Sequence, residues 1–470
     1  MTERRMTEPL PEASPAEDAA ERSLRVVASN GLVPQVDENA LRVISRLDRH
    51  GFEAYLVGGC VRDLMLGRSP KDFDVATAAH PRQIKRLFRN GRIIGRRFRL
   101  VHVVYGDQVV ETATFRSEPP PGDEPDDLLI TEDNEFGTSA EDARRRDFTI
   151  NALFLDPLRD EILDYIGGLE DLEAGLLRTI GEPRVRIAED PVRIVRAVKF
   201  ATRLGFRIED STWLAMCELA PQLSRSAPPR VFEEIVRLLC SGTALGAFRM
   251  LRACGALRVL LPEVDGFLGA RNDPDPAAHD RADSYWRLLE ALDAYVHDGH
   301  VPTRALCMAV LYLRVIEQRA PGGNAAGSDV LARTAYDVLQ PFGSRARVAR
   351  RILGRAGQII ANQPRFTQAP SKRFRPLLFM RSDAFEESLS LFRLRSAAWG
   401  QGWDVYEGWT ERYRQLLEDP AEEIEPARAR RRGGRRRGRR RRRTSDPPPG
   451  TSTAETPART DPPSETEPES

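Results

Sequence analysis

A glycine turn gives this sequence its clearest site for chemistry. Residues 54–57 are an apolar run that ends at Gly58 and Gly59, and helical spacing follows from Cys60. The pattern predicts a sharp turn from a strand into a helix, where glycines without a Cβ let an anion approach unpaired N–H groups. Arg62, in the first helical turn, would add a charged donor for the same anion. This segment is therefore predicted to bind a triphosphate.

Two carboxylates follow the glycine turn closely. Asp72 and Asp74 lie two residues apart in a segment predicted to be a strand, so both would share one face while Phe73 points into the core. Like charges held this close repel each other unless a cation lies between them, and oxygen ligands favour Mg²⁺. Glu111, on the polar face of the alternating pattern 109–115, is a candidate third ligand for phosphoryl transfer. The alternative is that these are exposed acids without a metal.

Length and composition describe an ordinary globular protein over most of the chain. The 470 residues are 41% hydrophobic and 30% charged, which leaves room for two to four domains. The five cysteines lack metal-ligand spacing, so we expect reduced thiols and a cytoplasmic location. No apolar run approaches the roughly 20 residues of a membrane span, and the N-terminus does not resemble a signal or transit peptide.

The elements that must position these residues change character along the chain. Short strands and helices alternate from about residue 40 to 180, which predicts an α/β head, and residues 118–135 read as a mobile insertion. Long amphipathic segments follow, so the rest of the folded chain is predicted to be mainly helical. The predicted helices of this second part are 191–204, 212–220, 229–239, 244–254, 284–297 and 330–339.

A block of arginines stands near the C-terminus. Residues 427–443 contain twelve arginines in seventeen positions, among them Arg435, Arg436, Arg437 and Arg440. Such a block cannot fold alone, and it is predicted to be a flexible arm that binds the phosphate backbone of a nucleic acid. The alternatives are a solubilising tail or a targeting signal. Residues 444–470 are rich in Pro, Ser, Thr and acids and are predicted to be disordered.

Several motifs in a fixed order resemble the bacterial poly(A) polymerase and tRNA CCA-adding enzyme family (class II). The resemblance is strong over about residues 40–265, and it implies an α+β, polymerase-β-like nucleotidyltransferase head followed by a mainly helical neck and body. It rests on Leu56-Val-Gly-Gly-Cys-Val-Arg-Asp63, Asp72-Phe-Asp74, Arg145-Arg-Asp-Phe-Thr-Ile-Asn151 and Glu189-Asp-Pro-Val-Arg193. The predicted divisions are a disordered lead-in at 1–35, the head at 36–180, the neck at 181–265, the body at 266–420 and a disordered tail at 421–470.

The resemblance implies a role for each matching residue. Asp72 and Asp74 would hold two Mg²⁺ ions, with Asp147 as a further essential carboxylate. The triphosphate of ATP would bind at Gly58, Gly59, Arg62 and Arg146. The pair Asp190 and Arg193, three residues apart on a predicted helix and therefore on one face of it, would read the base. Arg196 lies within reach of the same face, and whether it binds nucleotide or packs stays open. Without the resemblance, Arg146 and Asp147 read as a surface ion pair worth little, and Asp190 reads as an acid at a helix N-terminus with a local salt bridge.

The segment 93–103 looks like the version that marks the poly(A) polymerase branch of the family. Its basic residues Arg96, Arg97 and Arg99 are suited to the primer backbone, although they equally suit a solvated turn. We therefore predict a polynucleotide adenylyltransferase that uses ATP to extend RNA 3′ ends. The alternatives are a CCA-adding or A-adding tRNA enzyme and a noncatalytic RNA-binding protein on the same scaffold.

Overall fold

A computed structural model describes residues 24–95, 99–117, 135–270, 273–369 and 374–418. Within them, eight strands form one sheet in the order β1-β8-β7-β2-β3-β6-β5-β4. Strands β3 and β6 pair in parallel, and the other neighbours pair antiparallel. The strands of this sheet are β1 (Arg25–Ala28), β2 (Ala54–Val57), β3 (Val75–Thr77), β4 (Gly91–Ile94), β5 (Leu100–Tyr105), β6 (Gln108–Thr114), β7 (Leu153–Asp156) and β8 (Glu161–Asp164).

Strand β2 lies at the centre of the sheet and is buried on both faces. Its residues alternate between two hydrophobic clusters, so Leu56 packs in the main core while Tyr55 and Val57 pack in a smaller one with Phe115 and Phe154. A strand covered on both faces reads as a continuous apolar run, which is why the sequence pattern located it correctly. The strand delivers the chain to Gly58 at an inner position of the sheet.

Five helices accompany the sheet in the first part of the described chain, and side-chain caps hold several of their ends. Asp37 accepts N–H bonds from Asn39 and Ala40 at the start of the first helix. Asp164 accepts four backbone N–H bonds from residues 166–169 and so anchors the last one. The five are α1 (Glu38–Asp48), α2 (Gly59–Met65), α3 (Pro81–Leu87), α4 (Ser139–Arg144) and α5 (Gly168–Glu173).

Beyond residue 181, the described chain consists of helices and their connections, apart from the short strand β10 (Arg207–Ile208), which pairs in parallel with β9 (Leu176–Leu177). The first seven helices are α6 (Pro183–Glu189), α7 (Val192–Leu204), α8 (Asp210–Leu219), α9 (Pro228–Leu239), α10 (Ala244–Ala253), α11 (Ala256–Leu260) and α12 (Pro262–Leu268). The others are α13 (Pro276–His297), α14 (Arg304–Arg319), α15 (Ser328–Ala346), α16 (Arg350–Ala361), α17 (Pro376–Met380), α18 (Phe385–Trp399) and α19 (Trp403–Glu418).

Most predicted helices agree with the structure to within two residues, and two are longer than predicted. Helix α13 begins at Pro276, eight residues before the predicted 284, and α15 continues through Pro341. A proline normally ends a helix, so the pattern stopped before it. The described residues as far as Arg414 form one compact unit, and the end of α19 belongs to a second unit. None of the described helices has the length and apolar character needed to cross a membrane.

Two sequence predictions are wrong in their local structure. The disordered lead-in was predicted to reach residue 35, but Arg25–Ala28 is a strand paired with β8. Its partner lies more than 130 residues away in sequence, so no local pattern shows it. The second correction concerns Asp72 and Asp74, which precede β3 rather than lie in it, because the ladder begins at Val75. The backbone N–H of Val57 still bonds the carbonyl of Asp74, at 3.0 Å.

Some predictions concern residues beyond the described ranges. The lead-in at 1–23, the insertion at 118–134 and the tail from 419 onward all lie outside them. The insertion is flanked by a bridge between Arg116 and Phe136, which brings its two ends together. The division points at 180 and 265 remain predictions, since both fall inside one compact unit.

Candidate active site

One open cleft gathers every predicted catalytic and nucleotide-binding residue. It encloses about 620 Å³ beside the turn after β2, the loop before β3 and the helices α6 and α7. The predicted residues in its lining are Gly58, Gly59, Arg62, Asp72, Asp74, Arg146, Asp147, Asp190, Arg193 and Arg196. Residues that are far apart in sequence therefore meet in one place.

The turn after β2 requires glycine at its first position. Gly58 has a φ of +75°, a conformation that other residues rarely adopt, and a Cβ there would lie 2.9 Å from Nη1 of Arg146. Gly59 then begins α2, as the sequence predicted. Gly58 therefore lets the backbone pass close to the side chain of Arg146.

Arg62 is buried beneath this turn rather than extended into solvent. Its side chain is only 2% exposed. Nε and Nη2 donate to Oδ1 of Asp63 at 2.9 and 2.7 Å, and Nη1 donates to Oδ1 of Asn151. Burial lowers the pKa of Arg62, and the Asp63 carboxylate opposes that effect. The guanidinium is thus held by protein partners at the cleft, and its predicted contact with phosphate stays a prediction.

The two acids before β3 differ in burial. Asp72 is exposed and Asp74 is partly buried. The parallel register that pairs Val75 with Thr112 places Asp74 beside Glu111 one residue earlier. Burial and the charge of Glu111 raise the pKa of Asp74 to about 6, with Arg146 opposing and Asp72 adding to the shift. A carboxylate that ionises with difficulty among other acids is suited to a cation.

A three-carboxylate metal site is not assembled in the described part of the chain. No group of three His, Cys, Asp or Glu side chains is placed there to hold a metal ion together. Glu111 lies outside the cleft lining, and its Oε1 is 3.4 Å from Nε2 of His102. Mg²⁺ commonly uses one or two carboxylates together with substrate phosphates and water, and the pair Asp72 and Asp74 fits that pattern. A ligand role for Glu111 stays a prediction.

Asp147 forms a bifurcated ion pair with Arg196 in the cleft. Its Oδ2 accepts from Nε and Nη2 of Arg196 at 2.8 and 2.6 Å, and its Oδ1 accepts from Asn151 at 3.1 Å. Burial alone would raise its pKa, but Arg196 and Asn151 lower the pKa of Asp147 to about 2. The carboxylate is therefore ionised at neutral pH. The question left open for Arg196 is answered in part, since it binds Asp147 and also lines the cleft.

Arg146 pairs with a residue that the sequence analysis did not select. Its Nε and Nη2 donate to Oδ2 of Asp142 at 3.1 and 2.8 Å, and Nη1 donates to the Asn151 carbonyl at 3.3 Å. The guanidinium also lies over the ring of Phe154. The alternative in which Arg146 pairs with its neighbour Asp147 is therefore wrong, because each has another partner.

The predicted base-reading pair is not on one helix. Asp190 follows the end of α6 with extended dihedrals, and Arg193 lies in the first turn of α7. Both carboxylate oxygens of Asp190 accept from Arg230, at 2.9 and 2.6 Å. Arg193 instead donates to Glu189 at 2.9 Å and to the carbonyl of Arg186. Pro191 separates the two helices, which explains why helical spacing misplaced Asp190.

The sequence analysis missed Asp142, Asn151 and Arg230. Asp142 lies four residues before Arg146. Oppositely charged residues at this spacing pair on a helix, so the sequence carried a signal for this ion pair. Asn151 is the last residue of the motif Arg145–Asn151, and no role was predicted for it, although it forms hydrogen bonds with Arg62 and Asp147. Arg230 reaches Asp190 across 40 residues, so no local signal could find it.

The predicted RNA-binding arginines lie almost entirely outside the described residues. Arg99 is described, and it is exposed just before β5 and does not line the cleft. Arg96, Arg97, Arg435, Arg436, Arg437 and Arg440 fall outside the described ranges.

Family models match three parts of the chain. The match over residues 54–178 is described as the poly A polymerase head domain. Residues 205–268 match a probable RNA- and SrmB-binding site of polymerase A, and residues 324–444 match the polymerase A arginine-rich C-terminus.

Individual proteins resemble the chain over different lengths. Poly(A) polymerase I of Salmonella typhi is 36% identical over 373 residues, which are 77% of this chain and 78% of that one. The CCA-adding enzyme of Enterococcus faecalis is 39% identical over 209 residues, 44% of this chain and 50% of that one. The crystal structure of the Bacillus stearothermophilus CCA-adding enzyme with CTP has a TM-score of 0.60 and 26% identity, and the match covers 82% of each chain. The predicted α+β head and helical remainder are thereby confirmed.

Neutralising Asp74 is expected to stabilise the fold. The Asp74→Asn variant should gain about 1–3 kcal/mol in free energy of unfolding at about pH 8, because the wild type then holds an ionised carboxylate at a site that disfavours it. The folded pKa is about 6. An unfolded Asp has a pKa near 4, so the gain should fall between about pH 6 and 4 and vanish below. Urea denaturation across this range measures it.

Asp72→Asn is the matched control for this prediction. Asp72 is exposed, so its variant should change the free energy of unfolding by no more than about 0.5 kcal/mol. An Asp74→Asn variant that gains nothing at high pH, or that keeps its gain in acid, would contradict the burial argument.

Proposed function

The chain belongs to the family of bacterial poly(A) polymerases and CCA-adding nucleotidyltransferases, and we propose that it is a poly(A) polymerase that adds AMP from ATP to RNA 3′ ends without a template. One observation carries the proposal: the motif residues of the head and of α6 and α7 converge on a single cleft. The choice within the family is supported by the extent of the sequence matches, which reach 77% of the chain for a poly(A) polymerase and 56% for a CCA-adding enzyme.

The acids of the cleft are proposed to hold the metal. Asp72 and Asp74 would bind two Mg²⁺ ions, with Glu111 as a further candidate ligand. Such ions activate the attacking 3′-hydroxyl and neutralise charge on the triphosphate when bound. The raised pKa of Asp74 supports this assignment, because a bound cation removes the repulsion among these acids. Asp147 already forms an ion pair with Arg196, so we propose that its role is to hold Arg196 in position at the cleft.

The cationic wall of the cleft is proposed to hold the triphosphate. The arginines that line this wall are Arg62, Arg146 and Arg196. Each is oriented by an ion pair with a carboxylate of the protein. Donors fixed in advance need little reorganisation when charge develops on the transferred phosphoryl group. The lack of a Cβ at Gly58 lets the backbone lie close to Arg146, so that N–H groups of the turn and this guanidinium could bind the same phosphates. The chain's contribution to catalysis is then orientation and electrostatic stabilisation.

Asp190 and Arg193 are proposed to read the adenine base. Arg230 occupies both carboxylate oxygens of Asp190, so a base can bond that carboxylate only if it shares or replaces Arg230. Glu189 holds Arg193 in place with one charge-assisted bond. A cytoplasmic location is also proposed, which the five free cysteines of the described chain support.

A primer-extension assay tests the proposed activity. Purified protein with Mg²⁺ receives an unstructured RNA or a tRNA that ends before its CCA, each with ATP alone or with CTP and ATP. We expect long ladders from ATP on the plain RNA. Addition that stops after three nucleotides and needs the tRNA would identify a CCA-adding enzyme. No incorporation on either RNA would favour a noncatalytic RNA-binding protein.

Removing either acid before β3 should abolish this incorporation. Asp72→Ala and Asp74→Ala are expected to lower the rate by at least about 1,000-fold, because each takes away a proposed metal ligand. Asp107→Ala, in the exposed turn between β5 and β6, is the matched control and should keep full activity. Retained activity in either cleft variant would exclude the proposed metal site.

The arginine block is proposed to be a nonspecific RNA-binding arm. Deleting residues 427–443 should weaken RNA binding and flatten its salt dependence, since each phosphate contact on a single strand contributes about 0.7 to the slope of log K against log salt. Deleting 444–470 instead is the control, because that segment lacks the arginine block. An unchanged slope in a fluorescence titration after the first deletion would show that the block is not this arm.

A further inference from the structure

One aromatic ring lies at the centre of the cationic wall. Phe200 is on α7, is 8% exposed and lines the cleft. The guanidinium carbon of Arg62 is 5.1 Å from the centre of this ring, that of Arg196 is 5.3 Å away, and Nζ of Lys199 is 5.1 Å away. All three distances fall within the range of a cation–π interaction.

Each of these cations also forms an ion pair with a carboxylate, which is the neighbouring residue for Arg62 and comes from another part of the chain for Arg196 and Lys199. Asp63 in α2 binds Arg62, Asp147 after α4 binds Arg196, and Glu234 in α9 binds Lys199 at 2.6 Å. The ring thus lies within cation–π distance of the cation of each of these three ion pairs. It connects α2, which follows the glycine turn, to the helix that carries Arg196.

Gathering these cations under the cleft has an electrostatic cost. Burial lowers the pKa of both Arg62 and Lys199, and the neighbouring charge of Arg196 lowers the pKa of Lys199 further. The carboxylates offset part of this repulsion. An aromatic ring offers a negative face that attracts cations, whereas an aliphatic side chain of similar volume does not.

We infer that Phe200 is a positioning residue whose ring electrostatics hold Arg62 and Arg196 at the nucleotide-binding wall. The ring acts through these two arginines and does not need to touch the nucleotide. Weakening its negative face should let the arginines move away from their positions, so that the nucleotide binds less well while the RNA primer binds as before. The inference rests on the proposed nucleotide site but not on which nucleotide or RNA the protein uses.

Fluorination of this ring tests the inference with little change in shape. Phenylalanines with one, two and three fluorine atoms are introduced at position 200 of the full chain, since each fluorine weakens the negative face of the ring. We expect kcat/KM for nucleotide incorporation to fall stepwise, by about two- to threefold per fluorine, through a rise in the KM for nucleotide. The KM for RNA should stay constant. Phe200→Leu should lose about tenfold or more.

Phe248 provides the matched control. It is fully buried in α10, and no cation lies over its ring in the part of the chain that is described. The same fluorinated series there should leave kcat/KM unchanged. Thermal unfolding of every variant shows whether the fold is kept.

Three results would overturn the inference. They are a flat fluorine series at position 200, a loss in Phe200→Leu without a loss in the fluorinated variants, and an equal decline in the Phe248 series. If the wild type proves to be a CCA-adding enzyme, the proposed function fails. The series is then measured with tRNA and still decides the role of Phe200.

Discussion

The buried ion pair between Asp147 and Arg196 is the interaction on which the rest of the cleft depends. It joins the turn after α4 to helix α7 at 2.6 Å, and both side chains are largely withdrawn from solvent. Removing two charges from water is costly, so such a pair persists only when its hydrogen bonds are satisfied. Asn151 and the backbone N–H of Phe148 supply the remaining bonds to Asp147. Without Arg196, Asp147 would lose its main counter-charge, and without Asp147, Arg196 would keep only the more distant Glu234, at 3.9 Å.

The other charges of the cleft are arranged around this pair. Asn151 links Asp147 to Arg62, which places the buried arginine under the glycine turn. Arg186 reaches from α6 and donates to the carbonyls of Arg145 and Arg146, so the helices after the sheet are tied directly to the motif turn. The substrate-facing charges are consequently oriented by protein partners before any nucleotide arrives. Preorganisation of this kind is what phosphoryl transfer demands of a protein.

The sequence predicted the parts of this site that are local. The turn at Gly58 and Gly59, the central strand β2 and helix α7 follow from apolar spacing and glycine chemistry, which act over a few residues. Pairings between distant segments could not be predicted in the same way. Strand β1 forms only because β8 lies beside it, and Arg230 meets Asp190 only because α9 packs near the end of α6. Asp190 was misplaced on a helix because Pro191 interrupts the spacing.

A double-mutant cycle on Asp147 and Arg196 tests the central claim most directly. Asp147→Ala, Arg196→Ala and the double variant are compared by urea unfolding of the full chain. If the pair organises the cleft, each single change should cost about 3 kcal/mol, because it leaves the partner in the cleft without its main counter-charge. The double variant should then cost at least about 1 kcal/mol less than the sum of the two. Strictly additive losses would show that the two charges act independently and that the cleft does not depend on their pairing.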